Sequence, residues 1–305
     1  MSRAPDHGID GLSRFLLESS NVRGEIVQLD ATWDAVLSRK SYPPPVRRLL
    51  GEAMSATALM AATIKFDGSL ILQIRGTGPV HMLVVQATAR HTMRGLARWR
   101  GEVGGERLDE LVGEGRMAIT IDPGPGMERY QSVIDLVGGS LADALERYFE
   151  SSEQLPTRFR LAASAERCAG FLVQKLPPVG GRAAPGGVEE DEAAWRQASL
   201  VARTVASDEL LRWPAAMLLR RLFPDRPVRL FEGSPLRFHC GCSRAVIEST
   251  LRALGPEELR TTLAEEGGEI RVDCEFCDAS YTFDAVDVEQ LFAGDTPRPP
   301  EGTRH

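Results

Sequence analysis

The stretch CGCSRAVIESTLRALGPEELRTTLAEEGGEIRVDCEFC, from Cys240 to Cys277, contains four of the five cysteines of the chain. Cys240 and Cys242 form a Cys-x-Cys pair, and Cys274 and Cys277 form a Cys-x-x-Cys pair. A turn that presents two thiolates side by side supplies half of a tetrahedral zinc shell, and a second such turn completes it. The sequence therefore predicts one zinc ion per chain, bound by these four cysteines.

The loop between the two pairs is long for a zinc site. About 31 residues intervene, whereas common sites with two such pairs have about 15–20. Within and after this loop, the hydrophobic pattern predicts two short helices over 243–254 and 256–265, and a hairpin that joins 270–272 to 281–283. We therefore expect a small folded zinc module here.

The spacing within the pairs leaves two roles open for this module. Cys-x-x-Cys is the usual turn of a structural zinc site. In Cys-x-Cys the sulfurs stand so close that a disulfide between them would close a small, strained ring, and strained disulfides are labile and regulatory. From spacing alone, a purely structural Cys₄ zinc ribbon and a redox switch are both consistent with the sequence.

Composition bounds the class of protein. Of the 305 residues, 43% are hydrophobic and 26% are charged, which suits two or more domains with a substantial core. Residues 1–14 lack the apolar segment of a signal peptide, and no run reaches the roughly 18 apolar residues needed to cross a bilayer. We expect a cytoplasmic protein with no membrane partner, in which clustered cysteines are metal-bound thiolates rather than standing disulfides.

The charge balance argues against a nucleic-acid reader. The net charge is −7, and binding to phosphates needs Lys and Arg gathered on one face. The short pairs Arg47-Arg48 and Arg220-Arg221 are typical of solvated helix faces. We expect no nucleic-acid partner.

The pattern of residues 1–178 predicts an N-terminal α+β domain of mixed sheet and helix. Apolar or β-branched runs bounded by turn residues predict strands over 22–29, 69–75, 80–86, 117–121 and 171–175. Helical periodicity predicts a buried central helix over 45–64, with Pro45 in its first turn, and an amphipathic helix over 140–149 capped by Ser140.

A segment rich in Pro and Gly, residues 177–187, then predicts a domain boundary. We expect a helical linker over 179–235, the zinc module over 236–292 and a disordered tail over 293–305. The linker carries an apolar stripe formed by Met217, Leu218, Leu222 and Phe223. This stripe needs a partner surface on which it can be buried. A helix held mainly by docking is among the first to detach, although a permanently docked connector fits the pattern equally well.

Scattered motifs along the whole chain resemble those of the 33-kDa heat-shock protein family of redox-regulated chaperones. The two cysteine segments that match are Phe238-His239-Cys240-Gly241-Cys242-Ser243-Arg244 and Asp273-Cys274-Glu275-Phe276-Cys277. The N-terminal segments that match are Val22-Arg23-Gly24-Glu25, Lys65-Phe66-Asp67-Gly68, Glu128-Arg129-Tyr130-Gln131 and 152–158 (SEQLPTR). Asp278 departs from the usual Gly of such a turn, but Asp tolerates the left-handed conformation.

The resemblance implies an ATP-independent holdase for unfolded client proteins that is inactive when reduced and zinc-bound. It implies that oxidation forms Cys240–Cys242 and Cys274–Cys277 disulfides with loss of zinc. The linker would then unfold, expose client-binding surface and allow a homodimer to form. The chain has no Gly-x-x-x-x-Gly-Lys phosphate loop, so we expect holding rather than nucleotide-driven refolding.

Two other classes of function compete with this one. An enzyme is disfavoured because four cysteines close the zinc shell and no His-Glu-x-x-His motif supplies an open site with a base. The alternative is a zinc-ribbon adaptor that binds protein or nucleic acid independently of redox state. The fifth cysteine, Cys168, stands alone in sequence and is predicted to be a buried bystander.

Overall fold

A computed structural model of the chain describes residues 10–64, 66–124, 126–136, 138–178 and 186–293. They form two compact units, of which the first ends at His239 and the second begins at Cys240. Both units combine strands with helices, which confirms the predicted α+β class. The first residues of the predicted linker, 179–185, and the predicted tail from residue 294 lie outside the described residues.

Strands and helices are interspersed along the chain. The strands are β1 (Gly11–Leu17), β2 (Val22–Leu29), β3 (Ser69–Gly76), β4 (Val80–Thr88), β5 (Thr92–Trp99), β6 (Gly115–Asp122), β7 (Tyr130–Asp135), β8 (Thr157–Ala163), β9 (Cys168–Lys175), β10 (Val228–Leu230), β11 (Ser234–Pro235), β12 (Arg237–Phe238), β13 (Glu269–Asp273) and β14 (Ser280–Asp284). The helices are α1 (Ala31–Leu37), α2 (Pro44–Thr63), α3 (Leu108–Val112), α4 (Leu141–Ser151), α5 (Gly187–Thr204), α6 (Ser207–Arg212), α7 (Ala215–Leu222), α8 (Arg244–Leu254), α9 (Pro256–Glu265) and α10 (Ala285–Phe292).

Helix α2 is the centre of the first unit. Its prolines at the first turn favour a helix start, and its apolar residues at helical spacing are buried on nearly every side. It contacts strands of two sheets, one in the order β10-β1-β2-β9-β8 with β11 also paired to β1, the other in the order β12-β5-β4-β3-β6-β7. The predicted central helix is therefore confirmed, as are the five predicted strands and the Ser140 cap, whose hydroxyl accepts from Asp143 N.

Gly24, in the matching segment Val22-Arg23-Gly24-Glu25, has a steric reason to be glycine. A Cβ at this position would lie 2.1 Å from Cζ of Phe15 on the neighbouring strand and 2.7 Å from the carbonyl oxygen of Leu172 on the other side. Any side chain would push the Phe15 ring out of its place. The glycine therefore lets the Phe15 ring lie flat across β2, where it stacks on Phe171 at 5.8 Å.

Helices α5, α6 and α7, which fall within the predicted linker, belong to the first unit and cover one face of its first sheet. The contact is apolar, and we call its sheet side the covered face. The covered face consists of Phe15, Leu17, Val22, Ile26, Ala162, Ala169, Phe171 and Val173. The helices bury against it Ala194, Ala198, Ala202, Val205, Leu210, Leu218, Leu219 and Phe223. The predicted domain divisions at residues 178, 235 and 292 stay predictions.

The predicted apolar stripe of α7 is wrong at one residue. Met217 is 56% exposed, whereas its neighbours Leu218 and Leu219 are buried. Residues 218, 219 and 222 span about 100° of a helix with 3.6 residues per turn, and residue 217 lies about 150° from the centre of that face, on the side away from the sheet. Leu219 therefore takes the place that the sequence pattern gave to Met217.

Polar side chains of the first sheet and of its β8–β9 loop also hold the linker helices. Gln28 Nε2 donates to the carbonyl oxygens of Leu210 and Trp213 at 2.9 and 3.0 Å. Arg160 Nε donates to the Val205 carbonyl at 3.1 Å. Arg167, paired with Asp30, donates to the Leu211 carbonyl at 2.6 Å through Nη1. These donors satisfy carbonyls at helix ends that have no partner within their own helix.

The second unit is small. Its helices α8, α9 and α10 pack around the β13–β14 hairpin, and its buried apolar side chains are Leu251, Leu259, Leu263, Ile270, Phe283, Val288 and Leu291. The predicted helices over 243–254 and 256–265 and the predicted hairpin are confirmed. A core of this size stabilises a fold weakly without a metal or a disulfide.

Candidate metal centre

The first cysteine pair lies at the start of the second unit, directly before helix α8. Ser243 caps that helix, since its hydroxyl accepts from the N–H of Val246 at 3.3 Å. The backbone of Ser243 is extended, with φ −155° and ψ 162°, as is typical of an N-cap residue. The cap fixes where the helix begins and so fixes the backbone of the preceding Cys242.

The second cysteine pair occupies the tight turn that joins β13 to β14. The carbonyl of Cys274 accepts from the N–H of Asp278 at 2.7 Å, and the N–H of Cys274 donates to the Ala279 carbonyl at 2.8 Å. Asp278 takes φ 55°, the left-handed conformation that the sequence comparison with Gly anticipated. The turn therefore closes as a zinc knuckle does, with Asp in place of Gly.

The four cysteine sulfurs converge on one point. They all lie within 4.8 Å of one another, with 3.6 Å between Sγ of Cys240 and Cys274 and 3.2 Å between Sγ of Cys242 and Cys277. Zinc–sulfur bonds of about 2.3 Å in a tetrahedron place neighbouring sulfurs about 3.8 Å apart. The donor set and its spacing therefore fit one metal ion held by four sulfurs, and a small outward relaxation would reach the tetrahedral distances.

The surroundings of the sulfurs disfavour bare thiolates. Burial raises the pKa of the Cys277 thiol to about 12 and raises that of Cys274 above its ordinary value. Without a cation, the pair would hold protons at neutral pH. A divalent cation among the four sulfurs would supply the positive charge that stabilises thiolates, so the chemistry of the cluster also fits a metal.

Tyr281 joins the cluster, and sequence reasoning missed it. Its phenolic oxygen lies 3.3 Å from Sγ of Cys242 and donates a hydrogen bond to it. This hydrogen bond raises the pKa of Tyr281 to about 12, because it stabilises the protonated phenol. The strand pattern over 281–283 could place Tyr281 next to the second pair, but no spacing rule indicated its contact with the first pair.

The distances between the sulfur atoms bear on the disulfide pairing in one respect. The two short contacts, at 3.6 and 3.2 Å, each join the first cysteine pair to the second. Disulfides within each pair, Cys240–Cys242 and Cys274–Cys277, need sulfur atoms to turn toward their partners and to approach to about 2.05 Å. The pairing therefore stays a prediction.

Cys168 lies outside this cluster. It is fully buried at the start of β9, and burial raises its pKa to about 12. A buried neutral thiol is a poor nucleophile. The environment of Cys168 is thus that of a small apolar side chain, and its role as a bystander stays a prediction.

Within the described residues, no helix is both long and apolar enough to cross a membrane.

Comparisons with known proteins agree on one family. The family model described as Hsp33 protein matches residues 10–284. A 33 kDa chaperonin of Nitrosococcus oceani is 48% identical over 97% of this chain and 99% of its own length. A 33 kDa chaperonin of Ectopseudomonas mendocina is 44% identical over the same shares. The crystal structure of a 33 kDa chaperonin (HSP33) from Thermotoga maritima is similar in fold, with a TM-score of 0.78 at 22% identity over 94% of this chain and 99% of that one.

Proposed function

Because this chain belongs to the Hsp33 family, we propose that it is a redox-regulated, ATP-independent chaperone that holds unfolding client proteins. The observation that carries the proposal is the convergence of four sulfurs within 4.8 Å in a unit with a small core. In the reduced form the four cysteines bind one zinc ion, and the chain is inactive. The names of the chaperonin relatives support client binding, and we place the chain in the cytoplasm.

The metal supplies the free energy that folds the second unit. Structural zinc contributes about 10–16 kcal/mol to the folding of small peptides at neutral pH. Whole domains have stabilities of about 5–15 kcal/mol. A unit with few buried apolar side chains therefore unfolds when its sulfurs no longer bind a metal.

Oxidation removes the ligands. Four thiolates become two disulfides and give up four electrons, which with four protons reduce two molecules of hydrogen peroxide to four of water. A disulfide sulfur carries no negative charge and no longer binds the metal. The two disulfides that we propose, Cys240–Cys242 and Cys274–Cys277, close very small rings, so they restrict the unfolded chain little and do not replace the lost stability.

The linker helices provide the client-binding step. They are held on the first sheet by an apolar contact and by a few side-chain hydrogen bonds to their ends. Segments held by docking open before the rest of a domain. When they detach, the covered face with Phe15, Ile26 and Phe171 becomes available to apolar segments of clients. The same exposed surface favours a homodimer of the oxidised chain.

Treatment with hydrogen peroxide tests the order of events. We expect one equivalent of zinc to be released as the four cysteines lose their free thiols, with peptide mapping that finds Cys240–Cys242 and Cys274–Cys277. Protease cleavage should rise between residues 187 and 290, while residues 10–176 stay protected. Zinc that remains bound after the thiols are lost, or equal cleavage along the whole chain, would contradict the proposal.

A further inference from the structure

We propose that Tyr281 is a positioning residue of the metal centre, which holds Cys242 in its ligand orientation and slows its oxidation. The proposal rests on the proposed metal-binding function and goes beyond it, since no spacing rule for zinc sites includes this tyrosine. According to this proposal, the peroxide concentration needed to oxidise the site depends on Tyr281 as well as on the four cysteines.

The contact crosses between the two halves of the site. Tyr281 lies on β14, opposite Val272 of β13, so it belongs to the hairpin whose turn carries Cys274 and Cys277. Its hydroxyl nevertheless donates to Cys242, 39 residues earlier, at 3.3 Å. The hydrogen bond therefore ties the first cysteine pair to the hairpin of the second pair, independently of any metal.

The ring of Tyr281 is placed by packing and not by the hydrogen bond alone. It is partly buried and packs against the apolar core of the second unit, next to Phe283 two residues further along the strand. A Phe at this position would keep the ring contacts and remove only the hydroxyl. The effect of the hydrogen bond can therefore be separated from the effect of packing.

A hydrogen bond to a ligand sulfur has two consequences. It fixes the direction of the sulfur lone pairs, and groups that orient a metal ligand in this way typically change metal affinity or activity by about 10- to 100-fold when removed. It also withdraws electron density from the sulfur, and a less electron-rich thiolate attacks peroxide more slowly. Tyr281 thus retains the metal and protects Cys242 at the same time.

The test uses the full-length reduced protein loaded with zinc. We expect Tyr281→Phe to bind zinc about 10- to 100-fold more weakly in competition with a chromogenic chelator, and to release zinc faster at a given peroxide concentration. In protein loaded with cobalt(II), the sulfur-to-metal charge-transfer band should shift in Tyr281→Phe. Tyr130→Phe is the matched control, because Tyr130 lies on β7 in the first unit and is 54% exposed.

A second variant separates the hydrogen bond from the ring. If Tyr281→Leu weakens zinc binding while Tyr281→Phe matches the wild type in affinity, release rate and cobalt spectrum, the tyrosine acts by packing and the proposal is wrong. Wild-type protein that binds no zinc would also overturn it. A weakened Tyr281→Phe together with a wild type that fails to hold clients would leave the role of Tyr281 standing and reject the chaperone proposal alone.

Discussion

Replacing Cys242 and Cys277 together with serine is expected to reduce bound zinc from one equivalent per chain to none and to unfold the second unit. Their sulfurs lie 3.2 Å apart, one from each cysteine pair, so the double variant leaves only one sulfur in each turn. A neutral serine hydroxyl does not replace a thiolate as a zinc ligand. The loss of a contribution of about 10–16 kcal/mol exceeds what a small apolar core supplies.

Metal analysis and hydrogen exchange measure the two parts of this result. We expect amides of residues 244–292 to exchange rapidly in the double variant, while those of α2 and its two sheets stay protected. Cys168→Ser is the matched control, because the same chemical change at the buried thiol of the first unit should leave zinc at one equivalent. Zinc retained by the double variant would show that these cysteines are not the ligands.

The second large effect, detachment of the linker helices, is expected when a charge is placed between α7 and the covered face. Leu218 is fully buried where α7 meets the covered face. Leu218→Asp loses about 1.5–3 kcal/mol of apolar burial and also buries a carboxylate without a partner, at a cost of several kcal/mol more. Because a docked segment opens locally, we expect α5–α7 to detach in the reduced protein while the second unit keeps its zinc.

The neighbouring residue supplies a matched control for this experiment. Met217 belongs to the same helix and is 56% exposed, so Met217→Asp introduces the same charge and the same helix propensity without burial. Limited proteolysis of the reduced, zinc-loaded proteins should cut residues 187–223 in Leu218→Asp and leave them intact in Met217→Asp. Equal protection of both variants would mean that the covered face does not control release of the linker.

The parts of the fold that could be predicted from sequence are those with a strong local signal. Helix α2 is twenty residues long, with apolar side chains at helical spacing and two prolines at its start. Its existence therefore follows from periodicity alone. The capping serines, Ser140 and Ser243, likewise place the starts of α4 and α8. The four cysteines could be predicted as a site because two closely spaced pairs are a typical ligand pattern for zinc.

The missed elements have weak local signals and depend on distant partners. Strand β1 has an Arg among its apolar residues, and β7 is an edge strand with exposed residues on both faces. The two-residue strands β11 and β12 exist only because β1 and β5 pair with them. No periodicity reveals such elements, because long-range pairing rather than local pattern stabilises them.

In the site, too, features set by neighbouring residues could be predicted, and contacts between residues distant in sequence could not. The left-handed turn at Asp278 could be anticipated, since it follows from the spacing of a knuckle and the tolerance of Asp for positive φ. The hydrogen bond from Tyr281 to Cys242 could not, because it joins residues that only the folded hairpin brings within 3.3 Å. Contacts between the two cysteine pairs depend on the whole second unit.

Light scattering from an unrelated protein that unfolds on heating tests the central claim most directly. The client is heated without ATP in the presence of the reduced, zinc-loaded chain or of the oxidised, zinc-free chain, at equal concentrations. We predict that the oxidised chain suppresses the scattering and that the reduced chain leaves it nearly unchanged. Equal suppression by both forms would contradict the redox switch, and no suppression by either would contradict chaperone function.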